Sequence, residues 1–189
     1  MEYMKTIPDK HFDLAIVDPP YGLGLDGGQL GYSKHVKKEW DTEHPKEDYF
    51  NELFRVSKNQ IIWGFNHFMH LLKPTKAVIF WNKHQNGYFA EGELAWCSIG
   101  TVKYFDRAYQ KDIGNKIHPT QKPIELYKWC LSNYAKEGDK ILDTHLGSGS
   151  IAIACHDYKF ELTACEIDKD YYDAAVKRYS NYIAQTSLF

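Results

Sequence analysis

Short apolar runs alternate along the chain with segments of helical periodicity. Runs bounded by turn residues predict strands at Leu14–Val17, Gln60–Trp63, Ala77–Phe80, Thr101–Phe105, Lys140–Asp143 and Glu161–Cys165. Apolar positions at helical spacing predict helices over about Lys46–Val56, Ile124–Tyr134, Ser150–Asp157 and Lys169–Ala184. In the last of these, Tyr172, Ala175, Val176 and Tyr179 fall at i, i+3, i+4 and i+7 and predict one buried stripe. Alternating strands and helices without an internal repeat are the signature of an α/β layer fold. The stretch from Gly22 to Gly31 has too many glycines for a regular element and reads as a loop, either one that closes over a substrate or a plain connector.

The run Asp18-Pro19-Pro20-Tyr21 leaves the first predicted strand and matches one chemical task, methylation of an exocyclic amino group. Such a nitrogen donates its lone pair into the ring and is a poor nucleophile until its N–H bonds are held. The Asp18 carboxylate and the Pro19 carbonyl would each accept one N–H, freeing the lone pair. Two prolines fix the backbone and remove two donors, which keeps the carbonyls available. Tyr21 would offer a stacking face for a base swung out of a duplex. The competing reading is a strand-end turn in which Asp18 caps and the prolines break structure.

A second turn, Asp143-Thr144-His145-Leu146-Gly147-Ser148-Gly149, follows a buried strand and opens a helix, an arrangement that brings a nucleotide against backbone. Glu166 lies 23 residues beyond Asp143, close to the spacing at which an acid meets ribose hydroxyls. A third glycine is missing, which disfavours a dinucleotide site. His118-Pro119-Thr120-Gln121-Lys122-Pro123 precedes the helix from Ile124, with Pro123 suited to a helix start.

At 189 residues the chain predicts one domain. No run approaches a membrane span and the N-terminus lacks a signal-peptide core, so a cytoplasmic location is expected. Cys97, Cys130, Cys155 and Cys165 show no paired spacing and are read as reduced, buried thiols with no metal. A net charge of −2 argues against strong non-specific nucleic-acid binding. Cations are nevertheless clustered: Lys103, Arg107, Lys111, Lys116 and Lys122 face only Asp106 and Asp112, and Lys34, Lys37 and Lys38 form a second group beside His35. Either is a nucleic-acid contact or an ordinary solvated face.

Asp-Pro-Pro-Tyr, His-Pro-Thr-Gln-Lys-Pro, Asp-x-x-x-Gly-Ser-Gly and Glu166-Ile167-Asp168, in this order, resemble the β-class, circularly permuted, amino-group DNA methyltransferases. Trp63-Gly64-x-Asn66 narrows the resemblance to the small adenine-specific enzymes of phages and prophages. It implies a Rossmann-like fold with a mostly parallel sheet and an antiparallel strand. It also implies S-adenosylmethionine as donor, double-stranded DNA as substrate and adenine N6 as acceptor, with cytosine N4, RNA, or an inactive DNA-binding relic as alternatives. Asp143, Thr144, His145, Gly147, Ser148, Gly149, Glu166 and Asp168 would hold the donor, with Thr120, Gln121 and Lys122 near its methionine end. Asp18, Pro19, Pro20 and Tyr21 would hold the adenine. Residues 1–117 would form the catalytic and target half and residues 118–189 the donor half. Members of this family carry a strand just before the segment equivalent to Met1–Pro8, so a shortened N-terminus, one missing edge strand and weaker donor binding are expected. The dozen residues from Phe105 to His118 leave no room for a target-recognition domain, so target choice would rest on the Gly22–Asp41 loop, the Asp106–Lys116 loop, or a second subunit in a homodimer.

Overall fold

The computed structural model describes residues 1–24, 38, 40–85, 90–109 and 116–186. In chain order the elements are α1 (Glu2–Lys5), β1 (Phe12–Val17), α2 (Glu47–Val56), β2 (Ser57–Trp63), β3 (Ala77–Asn82), β4 (Gly92–Cys97), β5 (Lys103–Asp106), α3 (Ile124–Tyr134), β6 (Lys140–Asp143), α4 (Ser150–Tyr158), β7 (Glu161–Ala164) and α5 (Lys169–Thr186). Two single turns of 3-10 helix, Phe65–His67 and Met69–Leu71, follow β2.

The seven strands form one sheet in the order β5-β3-β4-β2-β1-β6-β7. All pairs are parallel except those of β4, which runs antiparallel to β2 and β3. This is the expected α/β architecture with one antiparallel strand. β1 sits inside the sheet and is covered on both faces, which is why it reads as a continuous apolar run rather than an alternating one. Leu14 and Ile16 point into a core closed by α3 and α4, including Leu126, Leu131, Ile151 and Ala154. Ala15 and Val17 point into a second core with Met4 of α1 and Phe50 and Leu53 of α2.

β4 was absent from the sequence expectation. Gly92-Glu93-Leu94-Ala95 has few residues with strand preference, yet pairing on both sides with β2 and β3 imposes the strand. α1 is one turn, too short for a periodic signal. The stripe expected on α5 is corrected by one position. Tyr171 and Ala175 are buried, whereas Tyr172 and Val176 are 48% and 44% exposed. Arg178 and Tyr182 continue the inward face, reaching Ser148 and Asp157 respectively. Among the described residues, no helix is long and apolar enough to cross a membrane.

Candidate active site

The six strands that run parallel to one another all end on one edge of the sheet, and the antiparallel β4 begins there. At that edge β1 leads to β2 on one side, while β6 lies on its other side, so the strand order reverses at β1. A crevice is expected at such a reversal. A cavity of about 310 Å³ occupies it, lined by Asp18, Pro20, Lys122, Gly147, Ser148 and Glu166 among others. The turn after β1 and the turn after β6 therefore face one space.

On the β1 side, Asp41 is buried and its Oδ1 accepts the backbone N–H of Tyr21 at 2.7 Å and of Gly22 at 2.8 Å, closing the turn. Gly64, at φ +67°, lets the chain pass against the Tyr21 ring, where a Cβ would sit 2.0 Å from Tyr21 Cε1. His67 stacks on Tyr21 with centroids 4.9 Å apart and planes 14° from parallel. The Tyr21 hydroxyl donates toward Asp18 Oδ1 at 2.6 Å and Glu93 Oε1 at 2.7 Å. The stacking face expected of Tyr21 is thus partly taken by His67, and its single O–H lies within reach of two acids.

Lys122 lines the cavity and also bridges the two acids. Its Nζ lies 2.6 Å from Asp18 Oδ2 and 2.5 Å from Glu93 Oε1, and its side chain is only 4% exposed. Lys83 Nζ reaches Glu93 Oε2 at 2.5 Å. Burial works against the Lys122 ammonium, but the two carboxylates outweigh it and hold its pKa above the usual lysine range. Burial likewise opposes the charge of Glu93, yet Lys122 and Lys83 pull its pKa well below the carboxylate range. Asp18 has one lysine instead of two, so burial wins and its pKa is raised, with Glu93 adding to the rise. Of the two acids, Asp18 is the more basic.

On the β6 side, Glu166 Oε2 accepts the N–H of Gly147 at 2.8 Å and Oε1 that of Asp168 at 2.9 Å, which fixes the carboxyl at the cavity wall. Gly147 and Gly149 take φ +52° and +72°. Arg178 Nη1 donates to the Ser148 carbonyl at 2.8 Å and Ser150 Oγ at 2.9 Å, and Ser150 Oγ donates to the Lys122 carbonyl at 2.7 Å. These bonds tie α5, the glycine turn and the segment before α3 together. His118, Thr120, Gln121 and His145 complete the wall, with Trp40 packed against His118 at 5.0 Å. Loss of hydration at the half-buried His145 lowers its pKa to about 3 and keeps it neutral at ordinary pH.

Pro19, Tyr21, Asp143, Thr144, Gly149 and Asp168 lie outside the lining of this cavity. Thr144 Oγ1 meets the Tyr49 hydroxyl at 2.7 Å, and Asp168 Oδ1 caps α5 through the N–H groups of Asp170 and Tyr171. Asp143 Oδ1 accepts the N–H of His145 at 2.9 Å, while its Oδ2 is buried with no hydrogen-bond partner among the described residues. Burial, reinforced by the charges of Asp18 and Glu166, pushes the Asp143 carboxyl up to about 8. The folded protein therefore keeps a proton on Asp143 that the unfolded chain releases near pH 4, so this residue's contribution to stability falls as pH rises from about 4 to about 8. Asp143→Asn is accordingly expected to cost no more than about 1 kcal/mol at neutral pH. It should gain stability relative to the natural residue on going from acidic to alkaline buffer, as read by denaturant melts. A loss that grows with pH would show that Asp143 works as an anion.

Of the cationic positions, Lys34, Lys37 and Lys111 lie outside the described residues, as does most of the Gly22–Asp41 loop. Lys38 pairs with Asp168 and Asp170, at 3.1 and 2.6 Å. Lys103 Nζ donates to Asn133 Oδ1 at 2.6 Å, Arg107 pairs with Glu125 at 3.2 Å, and Lys116 sits 3.3 Å over the Tyr109 ring. Trp63 is fully buried against Trp81, a packing role, and Asn66 is exposed on the turn after β2. Glu93, Asp41 and Arg178 were not singled out from the sequence. Each is a lone residue without motif spacing, and only the register of distant elements brings it to the site.

Residues 81–177 match the profile of a family described as DNA methylase, which spans just over half of the chain and includes Glu93, Lys122 and Glu166 but not Asp18–Tyr21. A Type II methyltransferase of Haemophilus parainfluenzae, M.HpaI, is 22% identical over 223 aligned positions covering 93% of this chain and 70% of that protein. Among solved structures, the M1.HpyAVI–SAM complex superposes with a TM-score of 0.62 at 18% identity, covering 93% of this chain and 91% of the other. The PvuII DNA methyltransferase, described as cytosine-N4-specific, superposes with a TM-score of 0.61 at 12% identity, over 93% of this chain and 82% of the other. At these identities the likeness is one of fold.

Proposed function

We propose that this chain, which belongs to the N6/N4 DNA methylase family, transfers the methyl group of S-adenosylmethionine to the N6 amino group of adenine in double-stranded DNA. The observation that carries this reading is that Asp18 and Pro20 of the first turn share one cavity with Gly147, Ser148 and Glu166 at the strand-order reversal. An amino-group acceptor and a nucleotide cradle are thereby adjacent. Asp rather than Ser at position 18 favours adenine N6 over cytosine N4, in keeping with the resemblance to the small adenine-specific enzymes.

The residues present fit the donor. Glu166, held by two backbone N–H groups, would accept the ribose hydroxyls, and the positive φ of Gly147 brings backbone to the cavity just before α4. Thr120, Gln121 and His118 would line the remainder of its site. When bound, the donor supplies an electrophilic methyl on a sulfonium. Asp18 would accept one amino N–H and the Pro19 carbonyl the other, turning the nitrogen lone pair toward the donor side of the cavity. As the N–C bond formed and the methyl–sulfur bond broke to leave a neutral thioether, the proton lost from nitrogen would pass to Asp18, more basic than Glu93. No covalent intermediate is required. The chain would act as one catalytic unit, residues 1–117 presenting the target base and residues 118–189 the donor, with bases entering after rotation out of the duplex.

Incubation with labelled S-adenosylmethionine and unmethylated bacterial genomic DNA, followed by digestion to nucleosides, tests this. Label in N6-methyl-2′-deoxyadenosine is expected. Label in N4-methylcytosine, or in RNA but not DNA, would replace the adenine reading.

A further inference from the structure

Glu93, its side chain 12% exposed, is an acid of the site that methyl transfer does not itself require. It is the second residue of β4, the strand that begins where its neighbours end, so its side chain enters the site from across β2. Lys122 and Tyr21, the two donors that hold Asp18, both touch Glu93 as well, at 2.5 and 2.7 Å. Both use the same Glu93 oxygen, Oε1, while Oε2 is secured by Lys83.

Each Asp18 oxygen already holds one donor, Tyr21 on Oδ1 and Lys122 on Oδ2, so a substrate N–H docking on Asp18 competes with them for the carboxylate. An ammonium buried to this degree is costly to leave unpaired. The tyrosine hydroxyl carries one proton and has two carboxyl neighbours, so it satisfies only one at a time. We propose that Glu93 is a positioning residue that retains Lys122 and Tyr21 when a substrate amino group docks on Asp18, freeing Asp18 without orphaning either donor. The inference rests on Asp18 being the amino-group acceptor.

Asp18 is faced by Lys122 from the segment before α3, by Tyr21 from its own turn, and by Glu93 from β4; Asp143 at the end of β6, Tyr49 on α2 and Tyr127 on α3 also sense its charge. Removing the Glu93 charge takes away a raising influence on Asp18 and leaves Lys122 to Asp18 alone, and both changes lower the Asp18 pKa. In Glu93→Gln, therefore, Asp18 becomes both harder to free and less basic.

With the full chain, labelled donor and unmethylated bacterial genomic DNA, Glu93→Gln is expected to lower kcat on the order of 100-fold. KM for S-adenosylmethionine should stay within about threefold, and the acidic limb of the kcat–pH profile should move to lower pH. An unchanged kcat, or a loss with the limb in place, overturns the proposal, since a merely structural residue would not move the limb. Should Glu93→Gln not fold, Glu93→Gln/Lys83→Met retains a balanced Asp18–Lys122 pair and carries the same expectations. Activity that survives Asp18→Ala sinks the acceptor reading together with this inference, whereas loss with Asp18→Ala and none with the Glu93 variants overturns the role of Glu93 alone.

Discussion

Asp18→Ala is expected to lower methyl transfer roughly 1,000-fold, the scale associated with removing a positioned proton acceptor and pre-organised polar contact from a reacting centre. The structure makes this a test of chemistry rather than of folding. Lys122 keeps its 2.5 Å contact with Glu93 when Asp18 is removed, and the Tyr21 hydroxyl keeps Glu93 as an acceptor. The donor wall on the β6 side, anchored by Glu166 to the Gly147 N–H and by Arg178 to Ser148, has no bond to Asp18. Donor affinity by calorimetry should therefore stay close to that of the natural chain while turnover collapses. Label transfer within tenfold of the natural rate would remove Asp18 from the mechanism.

The largest effect on stability should come from Lys122→Met. A side chain 4% exposed, between two carboxylates that are themselves 16% and 12% exposed, sits where removal of one ionic partner costs about 3–5 kcal/mol. For a chain of this size that corresponds to a fall in Tm of roughly 6–20 °C. Glu93 retains Lys83, so the loss falls mainly on Asp18, left with Tyr21. The pH dependence identifies the cause. Without Lys122 the folded-state pKa of Asp18 lies further above its unfolded value of about 3.9, so the deficit is smallest below about pH 4 and grows as pH rises through the folded pKa. A deficit that is constant across pH would point to lost packing of the lysine stem instead.

How much could be read in the chain beforehand differs by element. β1 and β6 were legible because parallel strands covered on both faces are continuous apolar runs, and α3 because its buried positions, Leu126, Tyr127, Cys130, Leu131 and Tyr134, follow helical spacing. The register of α5 was not. The doublets Tyr171-Tyr172 and Ala174-Ala175 allow two apolar stripes one position apart, and only the contacts of Arg178 and Tyr182 with the glycine turn and Asp157 select between them. β4 escaped because Gly92-Glu93 has no preference for a strand until β2 and β3 flank it.

The candidate site divides the same way. The Asp18–Tyr21 turn, the glycine turn and Glu166 are local motifs whose backbone demands are written in adjacent residues, so the sequence alone determined their existence and their position at strand ends. What holds Asp18 was decided only by the tertiary structure. Lys122 is 104 positions away, and Glu93 reaches it through a strand inserted antiparallel beside β2. Ion pairs between such distant groups depend on sheet order and register, which periodicity does not encode. The lysines that the fold brings to each, two for Glu93 and one for Asp18, then assign different proton affinities to two acids that look alike in the chain.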